Sequence, residues 1–156
     1  MITIKNSVIK GYHEFKIRPP LQLTLRVDRE YTNIHDVSAC LVWLPDTVSD
    51  NDQLDFVTDS KRGLRLKDIL GLPCGHVPRG IAPAFRYILD NGGRIEVKTT
   101  GDPVPSFYPW PDVKEKGGGI VIPCDYFIYT NNKTAHVTVI KHHISLMSEK
   151  DAMAVV

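Results

Sequence analysis

The chain has 156 residues, most naturally one domain with a core that needs no staples. Hydrophobic residues at 42% and charged residues at 24% exclude a disordered or fibrous class. Lysine and arginine number 19 against 18 aspartates and glutamates, so the net charge of +1 excludes a global basic field, and any nucleic-acid partner must meet a local patch.

In chain order, MITIKNSVIK lacks the long apolar core of a secretion signal. No apolar run approaches the ~20 residues of a membrane span, so an intracellular, soluble protein is expected. SVIKGYHEFKI (7–17) reads as a first strand, broken by Pro19-Pro20 from LQLTLRV (21–27), whose Leu21, Leu23, Leu25 and Val27 alternate with polar partners. SACLVWL (38–44) is nearly all apolar and reads as a central strand. Residues 45–67 carry many Asp, Ser and Asn and read as a peripheral excursion. Gly75-His76-Val77 is a short strand that Pro78 turns. Ile81, Ala82, Phe85, Ile88 and Leu89 then recur at helical spacing, Pro83 suits a first turn and Asn91-Gly92-Gly93 a stop, which predicts a helix over 83–91. RIEVKTT (94–100) alternates again, and 101–119, rich in proline and glycine, is a second excursion. IVIPCDYFIYT (120–130) and AHVTVIKHHI (135–144) flank NNK and predict a terminal hairpin. Residues 145–156 read as a tail, helical or disordered.

The expected fold is therefore mostly β: a β-barrel of OB-like type with six to seven strands, one principal helix closing the barrel, and a single domain over 1–144. Cys40, Cys74 and Cys124 are widely spaced in apolar surroundings and read as buried thiols; no CxxC pair announces a zinc ribbon. His35-Asp36, His76 and His142-His143 are poorly placed to chelate a metal, because neighbours on a strand face opposite ways. No phosphate-cradling loop, HExxH or GxSxG is present. The reading is of a non-enzymatic protein with no cofactor.

Polar residues crowd one turn, REYTNIHDVSACLV (29–42), between two apolar runs. Asn33 and Asp36 suit a tight turn by bonding nearby backbone donors, and Arg29-Glu30 suits an ion pair at a strand end. The same stretch resembles the signature of HIRAN domains, modules attached to DNA-remodelling helicases, with Arg29, Glu30, Asn33, Asp36, Ala39 and Val42 at matching spacings. Gly75, His76, Val77 and Pro78, followed by Ala82, Ala84, Tyr87 and Leu89, resemble the second half of the family pattern, and GYHEF (11–15) echoes its first strand. The likeness spans about residues 7–130, with extra length at 45–70 and 101–119. Ile34 and His35 stand where the family has proline and tyrosine, and His13-Glu14 where a basic residue often precedes an aromatic.

The resemblance implies binding of single-stranded DNA at a free 3′ end, and with it a nuclear location. Asp36 would accept a hydrogen bond from the terminal hydroxyl, near Asn33 and His76. Tyr12, Phe15, Tyr129 and His35 are candidates for stacking on bases, beside His13, and Arg79 for pairing with a phosphate. Each aromatic also reads as core. The alternative is a protein-interaction module that keeps the fold without the DNA site. PSFYPWP (105–111), with Phe107, Tyr108 and Trp110, suits either stacking or a plug on the barrel mouth. Lys114, Lys116, Lys133, Lys141, His142 and His143 could form a basic face.

Overall fold

A computed structural model describes residues 1–49, 51–106, 110 and 119–156. The chain runs β1 (Ile2–Ile9), a single-turn helix α1 (Tyr12–Phe15), β2 (Leu25–Arg29) and β3 (Cys40–Trp43). A 3-10 turn (Asn51–Asp55), β4 (Val57–Asp59), β5 (Leu64–Arg65) and α2 (Leu66–Ile69) follow. Then come β6 (Pro73–His76), α3 (Ala82–Asp90), β7 (Arg94–Thr99), β8 (Val104–Pro105), β9 (Ile120–Tyr129), α4 (Lys133–Ser145) and β10 (Ala154–Val155).

The main sheet is antiparallel in the order β10-β1-β9-β7-β2-β3-β6, with β8 paired to β9. Beyond β1, Lys10 exchanges two backbone hydrogen bonds with His76 at the end of β6, 2.9 and 2.8 Å long. The sheet thus curls until the chain just past β1 meets its edge strand β6, over a contact one bridge wide. Gly75 permits that approach: a Cβ there would stand 2.2 Å from Ile9 Cγ2 and 2.9 Å from the Lys10 carbonyl oxygen. The alternation predicted for β7 is real, its residues running exposed, buried, half-buried, buried, exposed, buried. α3 lies over the core, where Phe85 meets Tyr126 edge-on with ring centroids 5.2 Å apart. The buried Tyr126 hydroxyl donates to the Val8 carbonyl at 2.8 Å.

The fold is mostly β with a large antiparallel sheet, as expected, but in place of six to seven strands and one principal helix the described residues form ten strands and, beside α3, the longer helix α4. Several local expectations are corrected. The first strand is 2–9 rather than 7–17, because Gly11 adopts φ 85° and starts the α1 turn, which Lys16 at φ 54° ends. The second strand begins only at Leu25; Gln22 at φ 73° keeps 21–24 out of it. The terminal hairpin does not form, since 133–145 is helical. Asn132 caps it by accepting from the Ala135 amide, and the buried His136, Ile140 and Ile144 recur every four residues. The excursion at 45–67 is not wholly peripheral: Leu66 is fully buried in the core, and the buried Thr58 donates to the Leu64 carbonyl at 3.0 Å. Residues 145–156 return to the body, Ala154 and Val155 pairing with Lys5 and Ile4 and Met153 joining the core. Trp110 is also in the core; Phe107, Tyr108, Lys114 and Lys116 lie outside the described residues. The three cysteines are buried and unbridged.

Candidate functional site

The polar turn after β2 is built by its own side chains. Asn33 Nδ2 donates to Glu30 Oε1 at 2.8 Å, and its Oδ1 accepts from the amides of His35 (3.0 Å) and Asp36 (2.9 Å). Asp36 Oδ1 accepts from the Ser38 amide at 3.0 Å. Short polar side chains thus replace the ladder bonds that a turn cannot make. Arg29 clamps the turn from below: it grips both carboxylate oxygens of Asp90, at the end of α3, at 2.9 and 3.1 Å and donates to the Val37 carbonyl at 2.9 Å.

Facing this turn across a groove of about 440 Å³ are Gly11 and Glu14 at α1, His76 at the end of β6, and Arg79 just before α3. His76 is held from both sides, its Nε2 3.2 Å from Glu14 Oε2 and its Nδ1 3.7 Å from Glu30 Oε2. Phe15 packs against the same ring at 5.4 Å. Asp36 keeps its Oδ2 toward the groove, 3.8 Å from Arg79 Nε, and its side chain is 25% exposed against 74% for Arg79. One carboxylate oxygen is therefore committed to the fold, and the other faces solvent and an exposed cation. Lys10 lines the groove too. Cys40 is a further lining residue; burial pushes its thiol up to about 12, Arg29 opposing the shift and Asp28, Asp36 and Asp90 adding to it.

Of the nine residues singled out in the sequence, Asn33, His35, Asp36, His76 and Arg79 line this one groove, and Phe15 backs it through His76. Tyr12 and His13 lie on the other flank of α1 and line a different groove. Tyr129 is elsewhere; its ring packs under Arg94, 4.4 Å from the guanidinium carbon. Sequence reasoning missed Glu14 and Lys10 as groove residues, and beyond its place in the family-like signature it read Glu30 as half of an ion pair with Arg29. Glu30 instead bonds Asn33 and approaches His76. It also missed the exposed Tyr31, Ile34 and Val37 around the same turn. Their signal was available: three large apolar residues spaced three apart inside a polar turn match no strand alternation and have no strand face to enter.

Among the described residues, no group of three or more His, Cys, Asp or Glu side chains is placed to hold a metal ion, and no helix is long and apolar enough to cross a membrane. No family model matches the sequence, and no curated protein matches it. Among solved structures, the chain is similar to the crystal structure of the HIRAN domain of human HLTF, with a TM-score of 0.55 and 16% sequence identity over 90% of this chain and 88% of that one. At that identity the likeness is one of fold, and the fold is HIRAN-like.

Proposed function

We propose that this protein is a nucleic-acid-binding module that takes the free 3′ end of single-stranded DNA into the groove beside Asp36. The observation that carries the reading is the convergence of two motifs distant in sequence, Asn33–Asp36 and His76–Arg79, on one groove of a HIRAN-like fold. Asp36 Oδ2 is the acceptor for the terminal hydroxyl, and its other oxygen, tied to the Ser38 amide, fixes the direction of approach. The three carboxylates Glu14, Glu30 and Asp36 outnumber the two cationic side chains Lys10 and Arg79 by one. That balance disfavours a terminal phosphate more than a hydroxyl, but an acidic groove by itself favours the protein-interaction reading over DNA. The activity is binding alone, without cofactor or bond-breaking step, and a nuclear location belongs to the same reading.

A charge-assisted hydrogen bond is worth ~1.5–3 kcal/mol, or roughly tenfold to a hundredfold in affinity. Fluorescence anisotropy at fixed salt, with one oligonucleotide ending in a 3′ hydroxyl and the same strand ending in a 3′ phosphate, is expected to favour the hydroxyl by about that factor. Equal binding to both, or none to either, retires the reading. The second reading, a protein-interaction module, draws on the exposed Tyr31, Ile34 and Val37 beside the groove, which suit an apolar partner surface. It stands if neither strand binds.

A further inference from the structure

The opposite flank of α1 carries a second groove, of about 470 Å³, with the reverse electrostatic character. One wall is α1 and its exit, with His13 and Lys16; the other is the β4–β5 hairpin, with Asp59, Lys61 and Arg62. That hairpin belongs to the extra length at 45–67. It is locked to α1 by Arg62, which donates to the Phe15 and Lys16 carbonyls at 2.8 and 3.2 Å. Asp59, the groove's one carboxylate, is already engaged by the Arg62 guanidinium and by the amides of Lys61 and Arg62. Arg18 is spent on Asp102 and the Val57 carbonyl. Lys16 and Lys61 remain, exposed and without a carboxylate partner among the described residues.

We propose that this groove is a track for the phosphates of a single-stranded nucleic acid whose 3′ end occupies the Asp36 groove, an inference that rests on the end-binding reading. The two grooves share α1 as their partition, Gly11 and Glu14 facing one and Tyr12, His13 and Lys16 the other. A helix is ~10–12 Å across with its side chains, so a strand leaving the end groove reaches the second within a few nucleotides. The division of charge fits one ligand with two chemistries. The carboxylate-rich groove takes a hydroxyl-ended nucleoside, and the lysine-bearing groove takes the phosphates behind it. The Tyr12 ring, half-buried in the second groove, supplies an aromatic edge for a base.

The test compares a trinucleotide with a dodecanucleotide, both ending in a 3′ hydroxyl, on the wild-type chain and on a Lys16→Gln/Lys61→Gln double variant. Both lysines are exposed, so the variant is expected to unfold at the wild-type temperature, which a melting curve checks. The wild type should bind the longer strand more tightly. Its log affinity against log salt should be steeper than the variant's by about 1.4, two phosphate contacts at ~0.7 each. Between about 50 mM and 200 mM salt, the wild type then loses about sevenfold more affinity than the variant. If the wild type binds the trinucleotide but gains nothing from added length, or the two slopes coincide, the track is overturned and the end groove stands. Polyglutamate competing as well as the dodecanucleotide would assign the groove to acidic polypeptides and also overturn the track. Binding of neither strand overturns both readings.

Discussion

Asn33 and Asp36 sit three residues apart in one turn yet carry separable tasks. Asn33 makes three hydrogen bonds, one to Glu30 and two from backbone amides, and all are internal to the protein. Asn33→Ala leaves those amides to water and frees the Glu30 carboxylate, so the loss is expected to be ~1–2 kcal/mol of stability in urea unfolding, near one typical net hydrogen bond or two. A stability within a few tenths of wild type would show that the turn holds without it. Asp36 commits one oxygen to the Ser38 amide, and an asparagine carbonyl serves that amide equally well. Asp36→Asn is therefore expected to unfold within about 0.5 kcal/mol of wild type, while narrowing the preference for a 3′ hydroxyl over a 3′ phosphate. A variant that keeps the full preference would remove Asp36 from the proposed end site.

Elements were legible where short-range pattern and long-range packing agreed. α3 announced itself through a five-residue apolar stripe, a proline near its start and Asn91-Gly92-Gly93 at its end, and it forms at 82–90. α4 was misread because Val137, Thr138 and Val139 carry β-branched, strand-like chemistry. The stronger signal was His136, Ile140 and Ile144 at four-residue intervals, with Asn132 as the cap. Asn132→Ala is expected to cost about 1 kcal/mol and Asn132→Ser far less, read from thermal unfolding. The groove was legible in part for a similar reason: the turn chemistry of Asn33 and Asp36 is local, whereas the placement of Tyr12, Glu14 and Tyr129 depends on which strands become neighbours. The excursion at 45–67 shows the limit of composition. Its polar surface hides Leu66, on α2, which is fully buried in the core cluster. Leu66→Ala is expected to cost ~2–5 kcal/mol, while Ser60→Ala, at an exposed position of the β4–β5 turn, leaves the denaturation midpoint in place. Equal effects would mean that the excursion does not join the core.

At the scale of the whole molecule, the three thiols link the core to pH. Cys40 on β3, Cys74 on β6 and Cys124 on β9 belong to one buried cluster, and Cys74 and Cys124, fully covered, reach water only if the sheet opens. Burial pushes Cys40 and Cys74 from the ordinary thiol value of 9.0 up to about 12, and it raises Cys124 and the Tyr126 phenol as well. Below pH 9 each thiol holds its proton in both folded and unfolded chains, and this term contributes nothing to the pH dependence. Above it, the unfolded chain releases protons that the folded chain keeps, so the unfolded state gains and stability falls as pH rises toward 12. Going from pH 8 to pH 10 should remove about 1.4 kcal/mol for each such thiol, seen as a falling urea midpoint. Cys74→Ala starts lower at pH 8 because it leaves a small cavity, but it should lose about 1.4 kcal/mol less than wild type over the same interval. The pH response thus separates the thiol's proton from its packing, which a single stability value at neutral pH would merge. Parallel losses in the two proteins would show that Cys74 already ionises in the folded state, and a native protein alkylated as fast as a free thiol would show that the core is open.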